Sequence, residues 1–269
     1  MTDKSPIVTY SDVEKRYGTD EDTVLAVEEF SADIEEGEFV SIVGPSGCGK
    51  STLLHLTAGI LDPTRGSVTV NGMNVQSSVY EKHNVGLVFQ KPVLLEWRTI
   101  LDNVLLPVEI MDENGVLTED RSHYEERARE LLSIVDLGGF EDAYPRELSG
   151  GMQQRASICR SLVYDPPILL MDEPFGALDK ITRDQLNDEL LSIWAATNKT
   201  VLFVTHNIQE AIYLSDRVIV LSDRPATALD TVSVDLARPR NEETLAHDAY
   251  QDIVAQVTET MELRGRSTS

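Results

Sequence analysis

The chain has 269 residues, with 46 Asp and Glu against 23 Lys and Arg, a net charge of −23. That length suits one large domain, or one domain with a modest tail. The acidity argues against nonspecific binding to nucleic acid or to anionic lipid, both of which want basic surface, so any membrane association has to run through a protein partner. Two readings of the charge stay open: an ordinary solvated surface, or adaptation to a high-salt cytoplasm where screening quiets self-repulsion. The two cysteines, Cys48 and Cys159, lie far apart without a CxxC or Cys/His cluster. Neither a disulfide framework nor a zinc site is expected, and a reducing cytoplasm fits. The N-terminus has no signal-peptide core, and the most apolar runs, 168–171 and 218–221, are strand-sized.

Along the chain, Phe30, Ala32 and Ile34 alternate with polar residues as a strand, and an apolar strand, 39–43, runs into a glycine-rich turn. A helix is predicted from Lys50 to Ala58, ended by Gly59. A short strand at 66–72 closes on an Asn-Gly turn, and another strand spans 85–89. From about Ile100 to Leu137 the pattern is helical, with a charged run, 118–130, on one face and Leu131, Leu132 and Val135 on the other. After Ser149 a helix is expected to about Tyr164, then strand 168–171, helix 181–196, strand 200–205, helix 208–214 and strand 217–221. Strands alternating with helices predict an α/β fold around a parallel core. Pro239 marks a boundary, and 242–263 reads as a polar C-terminal helix.

Gly44, Pro45, Ser46, Gly47, Cys48, Gly49, Lys50 and Ser51 fit GxxxxGK[ST] between a predicted strand and a predicted helix, with Thr52 continuing the helix. Glycines let backbone N–H groups turn inward around phosphates. The helix presents its positive end, Lys50 supplies a charge to the β and γ oxygens of ATP, and the Ser51 hydroxyl can ligate Mg²⁺. Cys48 inside this loop reads as a small tolerated residue, although a helix start can lower a thiol pKa. The apolar strand before Asp172 and Glu173 fits a Walker B role. Asp172 holds Mg²⁺ through its water shell, and Glu173 polarises an attacking water. Ser149, Gly150 and Gly151 open a helix, with Ser149 as candidate N-cap, and offer a second anion site.

The run Leu148-Ser149-Gly150-Gly151-Met152-Gln153-Gln154 resembles the LSGGQ signature of the ABC ATPase family. The resemblance covers about residues 7–235. It implies a P-loop NTPase core with a mainly parallel sheet, an N-terminal antiparallel β subdomain and an inserted α-helical subdomain. On that pattern residues 1–238 form the ATPase domain, with the helical insertion at about 91–150 carrying the signature at its end, and 239–269 form a helical tail.

It further implies that Tyr17 stacks on adenine and that Gln90 senses Mg²⁺ and the attacking water. Asp179 meets a partner subunit, His206 contacts the γ-phosphate, and Ser149–Gly151 bind nucleotide held by the P-loop of an opposite subunit, so that ATPase subunits pair. Met152 stands where the family pattern has Gln, a polar contact for which Gln153 or Gln154 is a candidate replacement. Gly176 stands where the D-loop often has Ser. The segments 89–99, 172–179 and 205–211 are similar to importer ATPases of the nitrate, sulfonate and taurine group, which also includes transporters of thiamine-precursor pyrimidines. The group implies integral membrane permease subunits, an extracytoplasmic solute-binding protein, and a place on the inner face of the membrane. Soluble ABC proteins of translation or DNA repair remain the alternative, although they usually carry two cassettes or a long coiled coil. A GTPase would want an Asn-Lys-x-Asp motif, and Asn198-Lys199-Thr200-Val201 lacks the Asp.

Overall fold

In the computed structural model the described residues are 6–18, 23–77 and 84–265, with side chains to 262. In chain order the elements are β1 (Pro6–Tyr17), β2 (Val24–Glu35), β3 (Phe39–Val43), α1 (Lys50–Thr57), β4 (Arg65–Val70), β5 (Met73–Asn74) and β6 (Val85–Val88). Then come α2 (Ile100–Glu113), α3 (Arg121–Ile134), α4 (Gly150–Leu162), β7 (Ile168–Asp172), α5 (Lys180–Thr197) and β8 (Thr200–Thr205). The chain closes with α6 (Ile208–Leu214), β9 (Arg217–Leu221), β10 (Ala228–Ser233), α7 (Glu242–Leu245) and α8 (Asp248–Gly265). They form two compact units, Met1–Lys82 with Lys199–Ser269, and His83–Asn198.

In the first unit, alternating side chains make an antiparallel sheet in the order β2-β1-β4-β5. Val8 faces Ile34 and Val13 faces Phe30 in register. Tyr10 meets the Phe30 ring edge-on with centroids 5.1 Å apart, a favourable geometry between aromatic quadrupoles. β3 lies parallel between β8 and β9. Every residue of β3 and β8 is buried, which is why both read as continuous apolar runs. Beside β9 lies β10, antiparallel to it. Its sequence, ALDTVS, is half polar and exposed, so nothing in its pattern announces a strand. The tail departs from the single polar helix predicted over 242–263. Asn241 caps α7, the helix ends at Ala246, and α8 begins afresh at Asp248. Along α8, Tyr250 and Val257 are buried because the helix packs on α6, β9 and β10.

In the second unit β6 and β7 pair in parallel, and α2, α3 and α4 pack on one another. The charged run becomes α3, with Tyr124, Ala128, Leu131 and Leu132 buried on one side. Gly86 in β6 is a close approach: a Cβ there would lie 2.5 Å from the Ser161 carbonyl of α4. The architecture is the expected α/β one: an N-terminal antiparallel sheet, mostly parallel strands elsewhere, and a helical subdomain. Among the described residues, no helix is long and apolar enough to cross a membrane.

Candidate active site

In the first unit the site grows from two adjacent parallel strands. Val43 of β3 pairs with Thr205 of β8, so Gly44 and His206 leave the carboxyl ends of neighbouring strands, where α/β sheets bind ligands. The loop from Gly44 is tightly built. Gly49 has φ 133°, and a Cβ there would lie 2.6 Å from the Ala26 carbonyl of β2. Lys50 is 4 % exposed, and its Nζ donates to the carbonyls of Gly44 and Pro45, both at 2.9 Å. The ammonium is therefore held folded across the loop, with Ser51 and Thr52 following in the first turn of α1. Tyr17, at the end of β1 and 38 % exposed, sets its hydroxyl 3.2 Å from Thr52 Oγ1, and Lys15 Nζ lies 5.4 Å from its ring centroid. Cys48 is buried, and burial pushes its thiol above the ordinary range despite the charge of Lys50. The helix start does not activate it.

His206 is exposed on a braced backbone. Thr205 donates its hydroxyl to Glu210 at 2.5 Å, the Asn207 N–H donates to Thr205 Oγ1 at 3.0 Å, and the Asn207 side chain caps α6 by accepting from Glu210 N.

In the second unit the same arrangement recurs. Val88 of β6 pairs with Met171 of β7, so Gln90 and the Asp172–Glu173 pair leave adjacent strand ends. Glu173 has φ 45°, a left-handed conformation that is uncommon for a residue with a Cβ and concentrates at functional sites. The position a Cβ would take on Gly176 is 3.4 Å from Gln90 Nε2 and 3.5 Å from Glu173 Oε2. The carboxamide and the carboxylate thus converge on one point. A serine Cβ would meet both at ordinary contact distance, so the glycine keeps space between them open.

α4 starts as predicted, with Ser149 Oγ accepting from Met152 N at 3.3 Å. Ser149 and Gly150 are exposed and Gly151 is buried. The two glutamines proposed as stand-ins at Met152 point elsewhere. Gln153 donates to the carbonyls of Pro145 and Leu148, and Gln154, 2 % exposed, donates to the Phe89 carbonyl. Both amides brace the second unit. Asp179 caps α5 by accepting from Thr182 N at 3.1 Å and from Thr182 Oγ1 at 2.7 Å. The backbone bond first and the hydroxyl second hold its carboxyl below the usual range. The same Thr182 presses its methyl toward Gly151, where a Cβ would come within 2.9 Å.

Two residues without a motif of their own organise the segment after Gln90. Asn103, fully buried on α2, donates to the carbonyls of Leu95, Arg98 and Thr99 and accepts from Leu95 N. Arg160 of α4 donates to the carbonyls of Pro92 and Val93. Between these braces the loop presents Val93, 61 % exposed, and Trp97, 75 % exposed. Trp97 is thus a surface residue. Val93 has φ 47°, costly for a β-branched side chain. Asn103 follows the aromatic segment in sequence, but its three carbonyl acceptors become apparent only in three dimensions.

Comparison with known proteins agrees with this geometry. Residues 27–176 match the ABC transporter family model. An uncharacterised ABC transporter ATP-binding protein of Methanocaldococcus jannaschii is 46 % identical, covering 85 % of this chain and 82 % of that protein. An aliphatic sulfonates import ATP-binding protein of Bacillus thuringiensis subsp. konkukian is 36 % identical, over 96 % of this chain and 97 % of its own length. Among solved structures, a dimeric ATP-binding cassette in a post-hydrolysis state with ADP and Pi superimposes with a TM-score of 0.73 at 32 % identity, covering 86 % of this chain and all of that one. These matches, over a P-loop and parallel strand ends of this kind, make the chain an ATP-binding cassette ATPase. It belongs to the ABC transporter family.

Proposed function

We propose that this chain is the ATP-hydrolysing subunit of an importer and drives a separate membrane permease for small solutes of the nitrate, sulfonate or taurine kind. The observation that carries the reading is the segment 90–98. It begins at a glutamine converging with Glu173 on Gly176 and ends in a braced loop exposing Trp97. A loop tied to the reaction at one end and offering an aromatic anchor at the other suits the transfer of a nucleotide-dependent motion to a partner. Similarity to the sulfonate-import relative supports the solute class. Residues 1–238 act as the ATPase domain, with 91–150 as its helical insertion, and the chain works on the cytoplasmic side of the membrane, held there by the permease. A solute-binding protein serves the same system.

Within that reading the P-loop amides and Lys50 bind the phosphates of ATP, and Tyr17 receives the adenine. Lys50 exchanges the carbonyls of Gly44 and Pro45 for phosphate oxygens. Ser51, Asp172 and Gln90 supply hydroxyl, carboxylate and carboxamide oxygens, the hard donors that suit Mg²⁺. When bound, the ion neutralises charge on the β and γ oxygens. Glu173 accepts a proton from the attacking water, Gln90 orients that water, and His206 donates to the γ-phosphate. Ser149–Gly151 receive the γ-phosphate of ATP held by a second subunit, and Asp179 meets that subunit.

Replacing Glu173 by Gln keeps the shape and removes the basic oxygen. Turnover is expected to fall by about 10²- to 10⁴-fold with ATP still bound, whereas Lys50→Ala weakens binding by about tenfold to a hundredfold. Steady-state hydrolysis and equilibrium nucleotide binding on both variants check this; wild-type turnover in the Glu173 variant would remove it from its role. For the permease, Trp97→Glu should abolish co-purification with a polytopic membrane protein and leave basal hydrolysis intact. Undiminished co-purification would move the docking surface elsewhere.

A further inference from the structure

The segment after Pro239 has no task in the mechanism above, yet it returns to the helix that follows His206. Arg240 is 6 % exposed. Its Nη1 donates to the carbonyls of Ile212 at 3.0 Å, Tyr213 at 2.9 Å and Ser215 at 2.7 Å. These lie in the last turn and cap of α6, where carbonyls lack intrahelical donors and the helix dipole favours a cation. Arg238 adds a bond to the Leu214 carbonyl at 2.8 Å and a pair with Asp216 at 2.7 Å. At the opposite end of α6, the buried Tyr250 of α8 donates its hydroxyl to the Gln209 carbonyl at 3.0 Å. A helix of two turns is thus gripped at both ends by residues from the tail.

Glu210 carries that grip to the site. It accepts from Thr205 Oγ1 and donates its N–H to Asn207 Oδ1, so the residues on either side of His206 are both bonded to α6. A shift of α6 must move the backbone that bears the imidazole. We propose that the C-terminal segment positions His206: Arg240, Arg238 and Tyr250 clamp α6, and α6 sets where the His206 imidazole stands. The proposal rests on the reading of His206 as the γ-phosphate contact. Packing alone gives no reason for a buried guanidinium here. Burial lowers its pKa to about 10, and a well-packed apolar side chain would avoid that desolvation. What the guanidinium adds is direction, since its planar fork meets several carbonyls at once.

The test uses the full chain. Tyr250→Phe keeps the ring and loses one hydroxyl; Arg240→Met removes the fork, and Arg240→Lys restores a charge. Expected are a drop in kcat of about fivefold for the tyrosine variant and about tenfold or more for Arg240→Met, given what a lost hydrogen bond is worth. The lysine should recover part of the loss, and the nucleotide Kd should stay unchanged. The His206 imidazole resonance in ¹H–¹³C spectra, assigned with His206→Ala, should move in each impaired variant. An unmoved resonance with wild-type kcat in Tyr250→Phe would overturn the clamp, and that variant decides the matter if Arg240→Met does not fold. His206→Ala tests the underlying reading separately: wild-type turnover there removes the role of the histidine itself, while the imidazole signal of the other variants still reports whether the tail holds it.

Discussion

The helices α1 and α4 both open on glycines, at Gly47–Gly49 and at Gly150–Gly151. At α1 the glycines answer to backbone conformation, with φ of 76° at Gly47 and 133° at Gly49, and no side chain caps the helix. At α4 the cap is the Ser149 hydroxyl, and the buried glycine answers to a neighbour, the methyl of Thr182. The first start also carries its own cation, the buried Lys50, while the first turn of the second carries no charge. On the proposed reading the first start is a phosphate cradle with its own cation, and the second is a set of N–H groups that can complete an anion site but cannot neutralise the anion alone.

Substitutions can sharpen that contrast. Gly49→Ala combines a forbidden backbone with a contact to a carbonyl that cannot move, and should cost about 3 kcal/mol or more. Denaturant unfolding measures it, and no second-site change nearby should rescue it. Gly151→Ala is a packing fault and should cost about 1–3 kcal/mol. Here Thr182→Ser, which removes the offending methyl and keeps the hydroxyl bonded to Asp179, should restore most of the loss. Failure of that rescue would mean that the Thr182 methyl is not what requires glycine at position 151. The smallest effect belongs to Ser149→Ala, about 1 kcal/mol of stability from a lost cap, read as a fall in unfolding midpoint with unchanged slope.

The same contrast explains what the sequence made legible. The loop 44–51 and the β7 exit at Asp172–Glu173 could be read because their chemistry fixes residue types at adjacent positions, and the apolar runs of β3, β7 and β8 follow from burial on both faces. The N-cap role of Ser149 was equally local. Other features depend on partners far along the chain. β10 is half polar and becomes a strand only because β9 offers an edge. Tyr250 sits in a sequence that reads as solvated, and it is buried because α6 lies beneath it. Gln153 and Gln154 looked available at the signature, but carbonyls of Pro145, Leu148 and Phe89 had already claimed them. Asn103 is one of several polar residues on α2, and nothing nearby in sequence reveals the three carbonyls it gathers.

The central claim, that the α4 start completes a site begun at the α1 start of another copy, meets its most direct test in mixed subunits. One copy carries Lys50→Ala and the other Ser149→Arg, both with Glu173→Gln so that hydrolysis cannot reopen the pair. If sites are shared, the two defects fall together in one site of the mixed dimer, and the other keeps an intact loop and an intact helix start. ATP should then be trapped by the mixture, at up to one site per mixed dimer, and by neither variant alone. Mixed dimers that demonstrably form yet trap no more ATP than the separate variants would contradict it.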